Sequence, residues 1–169
     1  MKAINRNLQS ATKQKIEAVL NLKNQQLPSK YQVRVMSNHG KNMQVDVLVV
    51  DDVEAIRTYL RVLLLKLGFQ CVDTASTSQQ TMEALRKKHY DLIFLDINLP
   101  GADGLSVLRW VTSKYPDIQV VMCTGNSTAQ NVKDAISLGA KGFLAKPIII
   151  QSFLMLLHKL GFETASFEQ

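Results

Sequence analysis

The chain has 169 residues, 46% hydrophobic and 20% charged, with 8 Gly and 4 Pro. That is room for one full domain in a composition that excludes disordered and fibrous classes. The net charge of +6 is unevenly placed: residues 1–44 hold eight Lys/Arg and one acid, whereas residues 45–169 hold twelve Lys/Arg and thirteen acids, so the basicity belongs to an N-terminal extension.

Within that extension, "LQSATKQKIEAVLNLKNQQLP" predicts an amphipathic helix over about 8–26, with Ile16, Val19, Leu20 and Leu27 on one side and Pro28 as its stop. The following "SKYQVRVMSNHGKNMQ" reads as a polar connection, and Met43 directly before the first strand allows a natural start there. "MKAINRNLQSATKQK" has no apolar signal core, and no apolar run reaches the roughly 18 residues that span a bilayer. The expectation is a cytoplasmic protein without membrane insertion. Cys71 and Cys123 lie in apolar, strand-like segments without partners at ligand spacing, so both read as buried thiols. The scattered His39, His89 and His158 form no metal-binding pattern.

From residue 45 the chain alternates. Strand-length runs fall at 45–50, 70–75, 91–96, 118–123 and 141–145, mostly apolar throughout, as in strands buried on both faces of a parallel sheet. After the first comes "EAIRTYLRVLLLKLG", with Ile56, Leu60, Leu63, Leu64 and Leu67 on one face and Gly68 as its stop. "TSQQTMEALRKKH", "GLSVLRWVTSKYP", "STAQNVKDAISLGA" and "PIIIQSFLMLLHKLG" follow the other four. In the third of these helices Trp110 reads as a packing residue. In the last, Ile150, Phe153, Leu154 and Leu157 form a core stripe and leave Ile149, Met155, Leu156 and Leu160 over, apolar surface that is either buried under neighbouring loops and the extension or, the favoured reading, a homodimer or partner interface. Five βα units with short connections imply a doubly wound α/β fold that binds ligands at the carboxyl edge of its sheet. The domain reads as 45–161, with 162–169 as a short tail.

At that edge the first strand delivers Asp51 and Asp52, the third Asp96 and then Asn98, the fourth Thr124 and the fifth Lys146. Taken singly, an Asp there is a helix cap or a turn residue, Thr124 a cap and Lys146 a solvated lysine. Together, three carboxylates in one cleft repel one another unless a cation neutralises them. An oxygen-only ligand set points to Mg²⁺, with Mn²⁺ as the alternative. Three aspartates, one lysine and one divalent cation sum to zero charge, and an aspartate can accept a phosphoryl group.

The stretches "LVVDD", "DLIFLDINLPGADGL", the "TG" after the fourth strand and "GAKGFLAKP" together resemble the receiver domain of two-component response regulators, over residues 45 to about 160. The resemblance implies a flavodoxin-like (βα)5 fold with a parallel sheet in the order 2-1-3-4-5. It implies that Asp96 accepts the phosphoryl group from a phosphohistidine on a sensor histidine kinase or histidine phosphotransfer protein. Mg²⁺ would be held by Asp52, Asp96 and the backbone carbonyl of Asn98, with Asp51 acting through water. Thr124 and Lys146 would contact phosphoryl oxygens, Phe143 would be the aromatic switch residue, and Pro100, Gly101 and Pro147 would support the loops. The readout surface would be helix 4, strand 5 and helix 5, presented to a downstream effector or used in relaying the phosphoryl group. Such a domain is a switch that catalyses only its own phosphorylation and dephosphorylation, and without an output domain it acts by contact.

Other classes fit less well. A haloacid dehalogenase-type phosphatase needs an acid at position 98, which is Asn, and a flavodoxin needs a phosphate loop that Asp51 and Asp52 would repel. No P-loop sequence occurs. The basic extension holds one aromatic, Tyr31, and no DNA-binding motif, so a solvated tail is favoured over a nucleic-acid arm. The competing reading is a receiver-like interaction or dimerisation module that is never phosphorylated; such modules commonly lack one of the five site residues, and all five are here.

Overall fold

The computed structural model describes residues 33–34, 45–125 and 128–164; the helix expected over 8–26 lies outside them. The strands β1 (Asp46–Val50), β2 (Cys71–Ala75), β3 (Leu92–Asp96), β4 (Gln119–Thr124) and β5 (Gly142–Ala145) alternate with the helices α1 (Glu54–Lys66), α2 (Ser78–Lys87), α3 (Gly104–Lys114), α4 (Ala129–Ser137) and α5 (Ile150–Lys159). They form one parallel sheet in the order β2-β1-β3-β4-β5, which is the expected 2-1-3-4-5. Each strand boundary differs from the sequence reading by at most one residue, within ordinary fraying.

Strand periodicity decides which helix covers which face. Val47 and Val49, Phe94, Val121, Cys123 and Leu144 point into a core with α1 and α5. Their neighbours Leu48 and Val50, Ile93 and Leu95, Val120 and Met122 point into a second core with α2, α3 and α4. Successive side chains of a strand face opposite ways, so a strand covered on both sides must be apolar throughout. The edge strand β2 is the exception: Asp73 and Thr74 are exposed. In the first core the rings of Phe94 and Phe153 stack at 5.3 Å, and all five expected α1 positions are buried together with Tyr59.

On α5 the sequence reading divides differently from the structure. Phe153, Leu154 and Leu157 are buried as expected, but so is Leu156, at 9% exposure. The reason lies at Gly142 on β5: a Cβ there would meet Leu156 Cδ1 at 2.5 Å, so the missing side chain makes the space that Leu156 fills. The apolar surplus of this helix reduces to Ile149 and Met155, 54% and 68% exposed. Trp110 is half-buried, packed edge-on against Tyr115 with ring centres 5.6 Å apart.

The described residues continue past Gly161 to Thr164. Phe162 is buried against Phe69, with ring centres 5.5 Å apart, and Glu163–Thr164 pairs antiparallel with Val33–Arg34. Residues 33–34 fall in the stretch read as a polar connection; a pairing two residues long leaves no periodicity to detect. Among the described residues no helix is long and apolar enough to cross a membrane.

Candidate functional site

Register brings the strand ends level. Val50 lies opposite Leu95, Asp96 opposite Cys123, and Thr124 opposite Ala145. Asp51 therefore leaves the sheet beside Asp96, and Lys146 follows directly after β5. The order of the sheet reverses between β1 and β3, so both loops open over one crevice, where this class of fold binds ligands.

Asp51 and Asp96 are buried, at 1% and 3% exposure, whereas Asp52 faces solvent. One ligand oxygen from each of the three lies within 4.8 Å of the other two. Lys146 reaches between the buried pair: its Nζ donates a hydrogen bond to Asp96 Oδ2 at 2.8 Å and stands 2.6 Å from Asp51 Oδ2. The ammonium therefore bridges the two buried carboxylates, with its shorter contact to Asp51. The remaining carboxylate oxygens are held locally. Asp51 Oδ1 accepts the Val53 N–H at 2.9 Å, and Asp96 Oδ1 accepts the Asn98 N–H at 3.2 Å.

The electrostatics follow from this crowding. Burial pushes the Asp51 carboxyl above its ordinary value; the Lys146 ammonium only partly offsets that, and Asp96 adds repulsion. For Lys146, burial would lower the ammonium, but the two carboxylates outweigh it and hold the group above its usual range. Burial pushes the nearby Cys123 thiol far up, so it is no nucleophile at neutral pH. Three carboxylates and one ammonium leave the crevice negative. The excess of negative charge and the all-oxygen donor set fit a hard divalent cation.

The loop after β3 closes the crevice. Asn98–Leu99 and Ala102–Asp103 form a short antiparallel hairpin with Pro100 and Gly101 at its tip. Gly101 has φ +73°, and a Pro followed by a positive-φ Gly is the pattern of a type II turn. Asp103 Oδ1 caps α3 by accepting the Leu105 N–H at 3.1 Å. Gly104 is a position the sequence reading did not single out. Its N–H donates to Ile97 O at 2.9 Å, and a Cβ there would collide with the backbone carbonyl of Asp96 and approach Ile97 Cα to 2.7 Å. A glycine at the start of a helix, three residues after the Pro100-Gly101 turn, was the available signal.

Of the other expected residues, Thr124 is buried at the end of β4, and its carbonyl accepts the Lys146 N–H at 2.7 Å. Pro147 follows Lys146 through a cis peptide bond and is exposed. Phe143 is half-buried against the α2–α3–α4 core rather than grouped with the carboxylates. Arg57 on α1 was not anticipated: its Nη1 donates to the carbonyls of Asp51 and Asp52 at 2.7 and 2.9 Å. In sequence it is one more charge on an amphipathic helix.

Residues 47–158 match the family profile described as the response regulator receiver domain, and the clustered acidic triad is typical of a receiver domain's divalent metal site. The chain is 31% identical over 113 residues to the chemotaxis protein CheY of Bacillus subtilis (strain 168), which covers 67% of this chain and 94% of that protein. It is 34% identical over 118 residues to a putative NtrX-like response regulator of Rickettsia felis, covering 69% of this chain but only 25% of that protein. Among solved structures it resembles a response regulator from Burkholderia pseudomallei with a phosphorylated aspartic acid, calcium ion and citrate. That likeness has a TM-score of 0.62 at 26% identity, over 67% of this chain and 66% of the other.

Proposed function

The chain belongs to the response regulator receiver family, and from that premise we propose that it is a single-domain response regulator that accepts a phosphoryl group on Asp96 in a Mg²⁺-dependent reaction. The observation that carries this reading is the placement of Lys146 Nζ between Asp51 and Asp96, at 2.6 and 2.8 Å, with Asp52 completing the acidic triad. The phosphorylated aspartic acid and calcium ion of the B. pseudomallei structure support it.

Asp52, Asp96 and the Asn98 carbonyl would hold Mg²⁺, with Asp51 acting through water; Mn²⁺ suits the same oxygens. Bound there, the cation offsets charge on the transferring oxygens. An Asp96 carboxylate oxygen attacks phosphorus, the P–N bond of the donor phosphohistidine breaks, and the imidazole leaves with the bonding pair and takes up a proton. Lys146 already holds Asp96 and is positioned to move its contact onto a phosphoryl oxygen, with Thr124 as the second contact. The carboxylate's single negative charge becomes a group near −2. That change favours the state in which Thr124 and Lys146 close on the new oxygens, shifting a two-state equilibrium. Phe143 on β5, three residues before Lys146, would carry the change to the surface of α4, β5 and α5.

Receiver domains work with kinases and effectors. The donor proposed here is a cytoplasmic histidine kinase or histidine phosphotransfer protein. The recipient is an effector protein, or a second copy of this chain meeting at α5. The test is incubation with a small phosphodonor and Mg²⁺. An acid-stable, base-labile adduct that is lost in Asp96→Ala and in excess chelator is expected; an adduct that persists in Asp96→Ala rejects the assignment.

A further inference from the structure

The acidic turn between β1 and α1 must send two adjacent carboxylates in different directions, Asp51 into the crevice and Asp52 toward solvent. Two devices could hold it. One is local: Asp51 Oδ1 accepts the Val53 N–H at 2.9 Å, which fixes the first half of the turn and leaves Oδ2 facing Lys146. The usual second device, a side-chain cap at the helix start, is missing, because the N-cap residue of α1 is Val53 and makes no such bond. Arg57 stands in its place. From the first turn of α1 its Nη1 reaches back and donates to both Asp51 O at 2.7 Å and Asp52 O at 2.9 Å, while its backbone N–H pairs with Val53 O at 3.2 Å.

We infer that Arg57 is the positioning residue of the divalent-cation site, acting through the two carbonyls it clamps rather than by touching the ion. One nitrogen bonded to consecutive carbonyls fixes the orientation of both peptide units. The direction in which each aspartate leaves the backbone is set with them. Charge-assisted donors of this kind are stronger than neutral ones. The two N–H bonds of that nitrogen are held in fixed directions in the plane of the guanidinium, an orientation that a freely rotating lysine ammonium on a shorter stem does not reproduce. Without the clamp, mutual repulsion of the two adjacent acids would spread the turn, and the triad would have to be reassembled each time a cation entered. Groups that orient metal ligands from outside the coordination shell typically contribute 10- to 100-fold in affinity. The inference rests on the proposal that the triad holds a divalent cation.

The test is calorimetric titration of the whole, unphosphorylated chain with Mn²⁺, for wild type, Arg57→Ala, Arg57→Lys and Arg61→Ala, with thermal unfolding to verify that each is folded. Arg61 is the control: it lies on the same helix, and its Nε bonds Val72 O at 3.2 Å, away from the acidic turn. The expected result is about tenfold weaker Mn²⁺ binding in Arg57→Ala, at least fivefold weaker in Arg57→Lys, and wild-type affinity in Arg61→Ala. Arg57→Ala binding within twofold of wild type overturns the inference, as does full recovery in Arg57→Lys, since charge alone would then suffice. If Arg57→Ala does not fold, Arg57→Lys decides in the same sense. Wild type that takes up no Mn²⁺ defeats the metal reading itself, and this inference with it.

Discussion

Lys146 donates to Asp96 across fifty residues of chain, Nζ to Oδ2 at 2.8 Å, with both side chains almost wholly buried. The same ammonium is the counter-charge of Asp51 at 2.6 Å, so one lysine balances two carboxylates. Removing one partner of a buried ion pair leaves the other uncompensated, a loss of about 3–5 kcal/mol. Lys146→Met is expected to lose stability near the lower end of that range, about 3 kcal/mol, because the cluster retains access to solvent at Asp52. Saturating Mg²⁺ should restore part of the loss. Urea unfolding with and without the ion measures both, and an unchanged midpoint would count against the pair as a structural element.

Gly104 and Gly101 separate two reasons for a glycine on one loop. At Gly101 a Cβ meets nothing within 4 Å, but φ is +73°. Gly101→Ala should cost about 1–2 kcal/mol through the left-handed backbone alone. At Gly104 a Cβ collides with the Asp96 carbonyl, so Gly104→Ala must push the loop off the end of β3. We expect it to lose about 2 kcal/mol or more and to phosphorylate poorly even where it is folded, whereas Gly101→Ala keeps its phosphorylation rate.

Neighbouring residues on α5 give a packing prediction. Leu156→Ala should cost about 2–3 kcal/mol, because the space over Gly142 is too confined to refill, while Met155→Ala at 68% exposure should stay within about 0.5 kcal/mol. Comparable losses at both positions would return Leu156 to the surface set where the sequence placed it.

A pH dependence arises far from the acidic crevice. Asp73 Oδ2 accepts from Lys88 Nζ at 3.0 Å and from Tyr90 OH at 2.9 Å. Burial raises the Asp73 carboxyl somewhat, but those two hydrogen bonds outweigh it and hold the group below its ordinary value. The Tyr90 hydroxyl is pushed up to about 12, first by burial and then by Asp73. A depressed carboxylate stabilises the fold above its unfolded pKa, and that stability is lost as pH falls through its folded value. A raised phenol stabilises below its unfolded pKa and loses that contribution as pH rises through about 12. The Asp73 side chain is half-exposed, so solvent screens its contribution. Tyr90→Phe should cost about 1 kcal/mol at neutral pH, a difference that narrows in acid once Asp73 is protonated. Stability curves of the two proteins from neutrality into acid test this; a gap that does not narrow assigns the loss to packing instead.

The sequence by itself determined the layout: five apolar runs separated by amphipathic helices dictate a parallel sheet covered on both faces, because a strand can be apolar throughout only if both faces are buried. It also placed Asp51, Asp52, Asp96, Thr124 and Lys146 along one edge, since they stand where strands end and strand ends in such a sheet share that edge. Contacts between distant segments decided the rest. That Lys146 lies between Asp51 and Asp96, that Leu156 is buried over Gly142, that Gly104 seats the loop on Asp96 and that Arg57 grips two carbonyls all depend on separations of a few ångströms across elements. Periodicity records which way a side chain faces along its own helix or strand, and it carries no information about what the neighbouring element has left open to receive it.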